Sequence, residues 1–322
     1  MSFTEELKQK IFAGAEITRD EALTLAGEPL EDLTAAANEI RQKMCGNRFD
    51  MCTIINGKCG RCSEDCKYCA QSVHYHTDCH DTYPLLSTEE LVKGAKRNKE
   101  QGVLRYSIVT SGRRLSDAEV AQVCESIREI RRQVDIAVCV SFGLLGEEHF
   151  QKIKEAGASR VHCNLESSRN YFPQICTTHT YDEKIETLKA AQRAGMSVCS
   201  GGIMGLGETM EDRIDMALTL RELGVKSVPV NLLNPIKGTP YENNRILTND
   251  ELCRIVAVFR FMIPDGDIRL AGGRGLVGDK GEKCFRSGAN AAISGDMLTT
   301  AGITAATDMA LVKELGYQVK KS

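Results

Sequence analysis

The chain lacks a charge excess of either sign. Across 322 residues, 41 Lys and Arg face 44 Asp and Glu, a net charge of −3. With no basic surplus to neutralise phosphates, nucleic acid is not an expected partner. The same balance argues against docking on an anionic membrane surface. Long apolar runs are also missing, and nothing approaches the ~18 residues of a membrane span. The opening residues Met1-Ser2-Phe3-Thr4-Glu5-Glu6 are acidic and hold no apolar signal-peptide core. A soluble, cytoplasmic protein with no membrane role is therefore expected. Low-complexity tracts, charge blocks and obvious domain linkers are absent too. This length is normal for a single α/β barrel.

Cysteine, by contrast, is abundant, with 14 residues. In a long chain without an export signal, metal binding or redox chemistry explains this better than disulfides. Several of these cysteines are expected in the core, because a free thiol packs as a small hydrophobe.

Helix, glycine and apolar strand alternate along the chain. Capping boxes mark helix starts at Thr18 with Glu21, Ser87 with Glu90 and Ser116 with Glu119. Gly102, Gly157, Gly195 and Gly224 mark helix ends. Apolar runs follow, rich in Val, Ile and Cys: Val103–Thr110, Ser159–Leu165, Met196–Met204 and Val225–Leu233. Met51–Asn56, Asp135–Phe142, Asp267–Ala271 and Ala289–Ser294 are further strand candidates. About eight strand-helix units predict a closed (β/α)8 TIM-type barrel with N-terminal helices. A doubly wound open sheet is the structural alternative. Residues 1–46 read as N-terminal helical segments, including Thr34–Met44 before Gly46, and residues 47–322 as the barrel. Ligands are then expected at the C-terminal ends of the strands.

The segment Cys62-Ser63-Glu64-Asp65-Cys66-Lys67-Tyr68-Cys69 follows the first strand candidate with C-x3-C-x2-C spacing. A 4Fe-4S cluster normally takes four protein thiolates. Three leave one iron open to chelate the amino and carboxylate groups of S-adenosylmethionine, and one electron then splits a C–S bond to give a 5′-deoxyadenosyl radical. Zinc is the alternative, since Cys59 and Cys62 form a C-x2-C pair. Tyr68, just before the last cysteine, favours the radical reading, because an aromatic there covers adenine.

Gly201-Gly202-Ile203-Met204-Gly205-Leu206-Gly207-Glu208 ends a strand and opens a helix. Its glycines let the backbone approach a ligand, and beside the triad it suits an adenosyl-binding edge. Cys139, Cys163 and Cys199 lie in three separate strand candidates. Each alone reads as a core thiol. Arg269 changes the balance: if Ile268 and Leu270 point outward, alternation aims it into the barrel lumen. A buried guanidinium needs a partner, and a thiolate-held anionic cluster would supply one. His74, His76 and His80 with Cys79 read as a solvated loop.

Several stretches resemble the biotin synthases: Cys62–Ser72, Thr177–Tyr181, Val198–Thr209, Ser227–Pro240 and Ile268–Arg274. The resemblance spans roughly residues 30 to 305. It implies a radical S-adenosylmethionine barrel, usually homodimeric, that inserts sulfur into dethiobiotin to form biotin. It also implies a flavodoxin- or ferredoxin-type electron donor. The family's triad falls on Cys62, Cys66 and Cys69. Its S-adenosylmethionine site falls on Tyr68, Gly201, Ile203, Gly205 and Glu208. Asn164 and Glu166 match a strand near both the ribose and the ureido ring of dethiobiotin, and Asn231 matches another ureido contact.

Members also carry an auxiliary iron–sulfur cluster that supplies the sulfur. Commonly it is 2Fe-2S, and two of its cysteines and its arginine fall on Cys139, Cys199 and Arg269. The third cysteine position is Ser107 here. A hydroxyl rarely ionises, so serine substitutes poorly for a thiolate. Cys163 is the expected replacement, holding a cluster of 2Fe-2S or larger size, with Cys59, Cys176 and Cys284 as outside candidates. Two competing expectations are another radical barrel enzyme, resembling methylornithine synthase or a hydrogenase maturase, and a zinc-stabilised binding protein without catalysis.

Overall fold

The computed structural model describes residues 1–79 and 81–321. His80, one of the loop histidines noted above, lies outside them. Three helices open the chain: α1 (Phe3–Phe12), α2 (Arg19–Leu25) and α3 (Leu30–Cys45). The last starts at Leu30 rather than Thr34, directly after Pro29, whose fixed φ suits a helix start. Leu7 and Ile11 of α1, Ala22 and Leu25 of α2, and Leu33, Ala37 and Ile40 of α3 are buried.

Strands and helices then alternate. The first half runs β1 (Arg48–Lys58), α4 (Thr88–Glu100), β2 (Arg105–Thr110), α5 (Asp117–Gln133), β3 (Ala137–Ser141), α6 (Glu147–Glu155), β4 (Ala158–His162) and α7 (Tyr181–Arg193). Next come β5 (Ser197–Cys199), β6 (Gly202–Met204), α8 (Met210–Glu222), β7 (Ser227–Leu232) and α9 (Asn249–Met262). The chain ends with β8 (Asp267–Leu270), α10 (Glu282–Arg286), β9 (Ala291–Ser294), α11 (Ala305–Glu314) and β10 (Gln318–Val319). Neighbouring strands pair in the order β1-β2-β3-β4-β5-β7-β8-β9, and β9 returns to β1. Every one of these pairings is parallel. Because β6 continues β5 along β7, the two share one wall position, and the wall is a closed eight-position barrel. Closure excludes the open-sheet alternative. The short β10 pairs with the start of β1, beside the wall.

Each expected strand segment overlaps a wall strand, but Met196–Met204 is broken into β5 and β6. Opposite the break lies Pro229 of β7, which has no N–H to give the ladder. The approach there is close: a Cβ on Gly201 would stand 2.0 Å from the Pro229 carbonyl oxygen. Glycine therefore lets the wall stay closed where proline interrupts it.

The three expected capping boxes form, and Thr180–Glu183, Thr209–Asp212 and Thr248–Glu251 add others. Each such cap contributes about 1 kcal/mol. They fix where each helix begins, and so where the preceding loop must end. Ile108, Val138, Val140, Ile268 and Leu270 pack outward beneath the helices in one core, each burial contributing about 1.5–3 kcal/mol. The other face of the same strands lines the lumen, where polar and thiol side chains collect.

Candidate functional site

The Cys62–Cys69 loop leaves the C-terminal end of β1. It folds back on itself: Cys62 N–H donates to Gln71 O at 3.0 Å, and Val73 N–H donates to Cys62 O at 2.9 Å. Cys69 N–H closes a tight turn onto Cys66 O at 2.9 Å. The loop docks on the segment after β4. Asp65 accepts from the backbone of Thr177 at 2.8 Å, from the backbone of Thr178 at 3.2 Å and from the Cys176 thiol at 3.1 Å. Burial raises the Asp65 carboxyl, but these bonds, led by Thr177, outweigh it and hold it well below the usual carboxylate range. Beside it, Glu64 meets His179 Nδ1 at 2.6 Å and Thr178 Oγ1 at 2.9 Å.

Cys62, Cys66 and Cys69 are half-buried. Burial pushes the Cys69 thiol up to about 11, a cost that a bound metal offsets by taking the thiolate. Among the described residues, the only trio with ligand atoms within 4.8 Å of one another is Cys66, Cys176 and His179. An iron–sulfur cluster binds each thiolate on a different iron and so spaces them more widely than one ion does. Cys59 lies beside Cys79 and Asn56. No closed four-ligand zinc set forms around Cys59 and Cys62 among the described residues. The loop thus fits a three-thiolate cluster better than structural zinc.

Across the barrel mouth, the Tyr68 hydroxyl donates to Glu166 Oε1 at 3.0 Å. Glu166 follows β4 with φ +70°, uncommon for a non-glycine residue. Its backbone is clamped by Gly201 O and Ile203 N, both at 3.0 Å. Its Oε2 is buried without a partner, which suits an incoming donor such as a sugar hydroxyl. The glycines beside it are close-packed: a Cβ on Gly202 would stand 2.4 Å from Glu166 O. Glu208 spends both carboxylate oxygens on Gly205 N–H, at 2.9 and 3.2 Å, and also binds Arg213 at 2.7 Å. It shapes the loop from within. Asn231 brackets two strand ends, donating to Gly202 O at 3.1 Å and accepting from Gly272 N at 2.9 Å. Asn164 is half-buried, and its carbonyl accepts from Lys184 at 2.9 Å.

A second thiol group lies in the lumen. Cys52, Cys139 and Cys199 are buried on β1, β3 and β5. Ser107 Oγ stands 3.2 Å from Cys52 Sγ and 3.1 Å from His162 Nε2. Ser227 donates to Cys199 Sγ at 3.1 Å. Arg269 does point inward, and its guanidinium binds Asp50 Oδ1 at 2.6 Å and the carbonyls of Asp50 and Ala292 at 3.1 and 3.0 Å. Its Nε is buried without a partner. Burial raises the Cys139 thiol, but His162 and the guanidinium groups of Arg160 and Arg105 more than offset this and bring it below its ordinary value. Thiols, a lowered pKa and an unsatisfied guanidinium nitrogen form a donor set that fits an anionic metal cluster.

The structure does not bring Cys163 to this group. His162 is the register partner of Cys199 and shares its lumen face, so the next residue turns outward. Cys163 instead lies near Lys184 and Glu166 and packs into the core. Cys176 sits by the triad loop, and Cys284 pairs with Cys253 at 3.5 Å. Sequence reasoning missed Cys52, His162 and the Asp65–Thr177 docking. For Cys52 a signal existed: Met51 is apolar and packs outward, so alternation turns Cys52 inward.

Residues 58–220 match the Radical SAM superfamily. Residues 229–318 match the Biotin and Thiamin Synthesis associated domain. Both segments contribute strands to the one barrel. A biotin synthase of Corynebacterium diphtheriae is 59% identical over 99% of this chain and 97% of its own length. One of Brachyspira hyodysenteriae is 59% identical over 98% and 95%. Among solved structures, a methylornithine synthase superposes with TM-score 0.84 at 19% identity, covering 98% of this chain and 97% of that one. An FeFe-hydrogenase maturase of Carboxydothermus hydrogenoformans gives 0.82 at 18%, covering 98% and 78%. Identities that low show a shared barrel and nothing finer, whereas the near-complete matches to biotin synthases decide the family. The chain belongs to the biotin synthases, within the radical SAM superfamily.

Proposed function

We propose that this chain converts dethiobiotin to biotin by radical sulfur insertion, with Cys62, Cys66 and Cys69 holding the 4Fe-4S cluster and S-adenosylmethionine as cosubstrate. When bound, that cluster supplies the electron that splits a C–S bond of the cosubstrate and yields a carbon radical. The C–H bonds to be broken are saturated, so no general acid or base is required of the chain. What the residues supply is positioning and exclusion of water. Tyr68 and Glu166 support a nucleoside site: their hydrogen bond spans the mouth and leaves Glu166 Oε2 for a ribose hydroxyl. Gly201, Ile203 and Gly205 line its edge, and Glu208 holds that loop in shape. Asn164 and Asn231 are assigned to the ureido ring, the second through whatever hydrogen-bonding capacity its two backbone contacts leave.

Cys139, Cys199 and Arg269, with a third thiolate, would hold an auxiliary iron–sulfur cluster, which would be the source of the inserted sulfur. The observation that carries the whole reading is a pair of thiol groups in one barrel, one in the rim loop and one inside the lumen. Residues 47–322 act as the catalytic barrel and residues 1–46 as a helical addition. The working form is a cytoplasmic homodimer reduced by a flavodoxin- or ferredoxin-type donor. Cytoplasmic reducing conditions suit so many free thiols.

The test is an anaerobic turnover with reconstituted, reduced protein, S-adenosylmethionine and dethiobiotin. Biotin and 5′-deoxyadenosine should both form, and C62A, C66A or C69A should abolish both. Release of 5′-deoxyadenosine without biotin would assign the barrel another substrate, and release of neither removes the radical reading.

A further inference from the structure

The lumen holds three buried thiols at one level of the wall, and one of them, Cys52, has no place in the ligand set given above. Its surroundings are those of a ligand. Cys52 lies on β1, two residues after Asp50, so both project to the same face. Asp50 binds Arg269 in the lumen, which fixes that face. On β2, Ser107 pairs in register with Cys139 of β3, and its hydroxyl reaches back to Cys52 Sγ at 3.2 Å. His162 touches the same hydroxyl at 3.1 Å and shares its register level with Cys199. Arg269 is within electrostatic reach of both Cys52 and Cys199. Its Nε, buried and unpartnered, marks an unmet demand for an acceptor in this chamber.

The chemistry separates the candidates for the third ligand. Iron in a sulfide cluster takes thiolate in preference to a neutral hydroxyl. Ser107 therefore sits in the right place with the wrong atom, while Cys52 brings the right atom to the same spot from the neighbouring strand. Cys163 has the right atom on the wrong face. We propose that Cys52 is the third thiolate ligand of the auxiliary cluster, so that the anchor missing at Ser107 is displaced by one strand around the barrel wall. Ser107 keeps the space open and hydrogen-bonds the Cys52 sulfur. This rests on the auxiliary-cluster reading and deepens it.

The experiment isolates the auxiliary cluster by using the full chain with C62A, C66A and C69A together, which removes the rim site. Iron, sulfide and Mössbauer spectra are then measured after anaerobic reconstitution. The triple variant should retain iron and sulfide. Adding C52S should remove them, adding C163S should leave them unchanged, and adding C52S with S107C should restore them. Retention of full iron and sulfide after C52S overturns the assignment of Cys52 and leaves the auxiliary cluster standing. An iron-free triple variant from a wild type that holds only one 4Fe-4S cluster removes the auxiliary cluster, and Cys52's role with it. Should C52S prove insoluble, C52A on the same background is read in its place: loss of iron and sulfide from a folded protein supports the proposal, and full retention overturns it.

Discussion

Tyr68 and Glu166 are joined by a hydrogen bond of 3.0 Å that links the rim cysteine loop to the end of β4. The carboxylate's other oxygen is buried and free. Burial raises the Glu166 carboxyl, with Lys184 and Tyr68 acting against it. The folded state therefore holds this proton more tightly than the unfolded chain does, and the group's cost to stability grows as pH rises. E166Q removes the charge and keeps an oxygen for Tyr68. Cluster-free E166Q should melt no lower than wild type at neutral pH. Its affinity for S-adenosylmethionine, measured by anaerobic calorimetry on the cluster-loaded protein, should fall about tenfold, or about 1.4 kcal/mol, for one lost charged hydrogen bond. Unchanged affinity would mean that Oε2 does not face the nucleoside.

Gly201 is where the wall seam and the ligand edge meet. A methyl group there would stand 2.0 Å from the Pro229 carbonyl oxygen, a backbone atom that cannot rotate aside. G201A must push β5 and β6 away from β7 or bend the loop. We expect a loss of about 3 kcal/mol by denaturant melts, typical of overpacking that cannot relax. G275A is the control: open space surrounds its added carbon, so it should change stability by less than about 0.5 kcal/mol. Equal behaviour of the two variants would show that the seam relaxes freely.

The barrel was legible because its signals are local. Caps, glycines and apolar runs each act within a few residues, and together they leave few topologies open. The break between β5 and β6 was not legible, because Pro229 lies in a different strand and matters only once that strand is opposite Gly201. The lumen ligands fell between these cases. Arg269 is flanked by Ile268 and Leu270, so alternation alone turned it inward. Cys163 is flanked by His162 and Asn164, which say little about facing, and only Val161, packed outward, gives the parity away. Cys52 needed one further fact: the register of β1 on β2 lets its sulfur reach Ser107. The docking of Asp65 on Thr177 joins residues 112 apart in sequence, beyond the reach of any local pattern.

Asp308 of α11 ties the C-terminal helix to the barrel. It accepts from Nη1 and Nη2 of Arg274, at 2.7 and 2.6 Å, and from Ser294 at the end of β9. Both members of the pair are almost wholly buried. D308N leaves a buried guanidinium facing a neutral amide, so the loss should be about 3–5 kcal/mol in urea melts, the usual cost of breaking a buried pair from one side. R274M/D308L, which removes both charges, should recover most of that loss. Failure of the double variant to recover would place the effect in lost packing of α11 instead.

Glu251 gives a pH dependence with a definite sign. It caps α9, accepting from Thr248 N–H at 2.7 Å, and it binds Arg245 through both oxygens at 2.7 Å. Arg245 first, then the Thr248 bonds, bring its carboxyl down to about 2. A carboxyl that is more acidic when folded stabilises the fold above its unfolded value of about 4.3, and that stability is lost as pH falls toward the folded value. The side chain is 39% exposed, so solvent screens the ion pair, and E251A should cost only about 1 kcal/mol at neutral pH, mostly from the cap. Calorimetric melting temperatures of wild type and E251A should differ by a constant amount between about pH 7 and pH 5 and converge below about pH 4. Added salt should narrow the gap at neutral pH without closing it. A difference that stays constant down to about pH 3 would trace the effect to helix propensity, since a cap held by a charged carboxylate must weaken as the carboxylate takes up its proton.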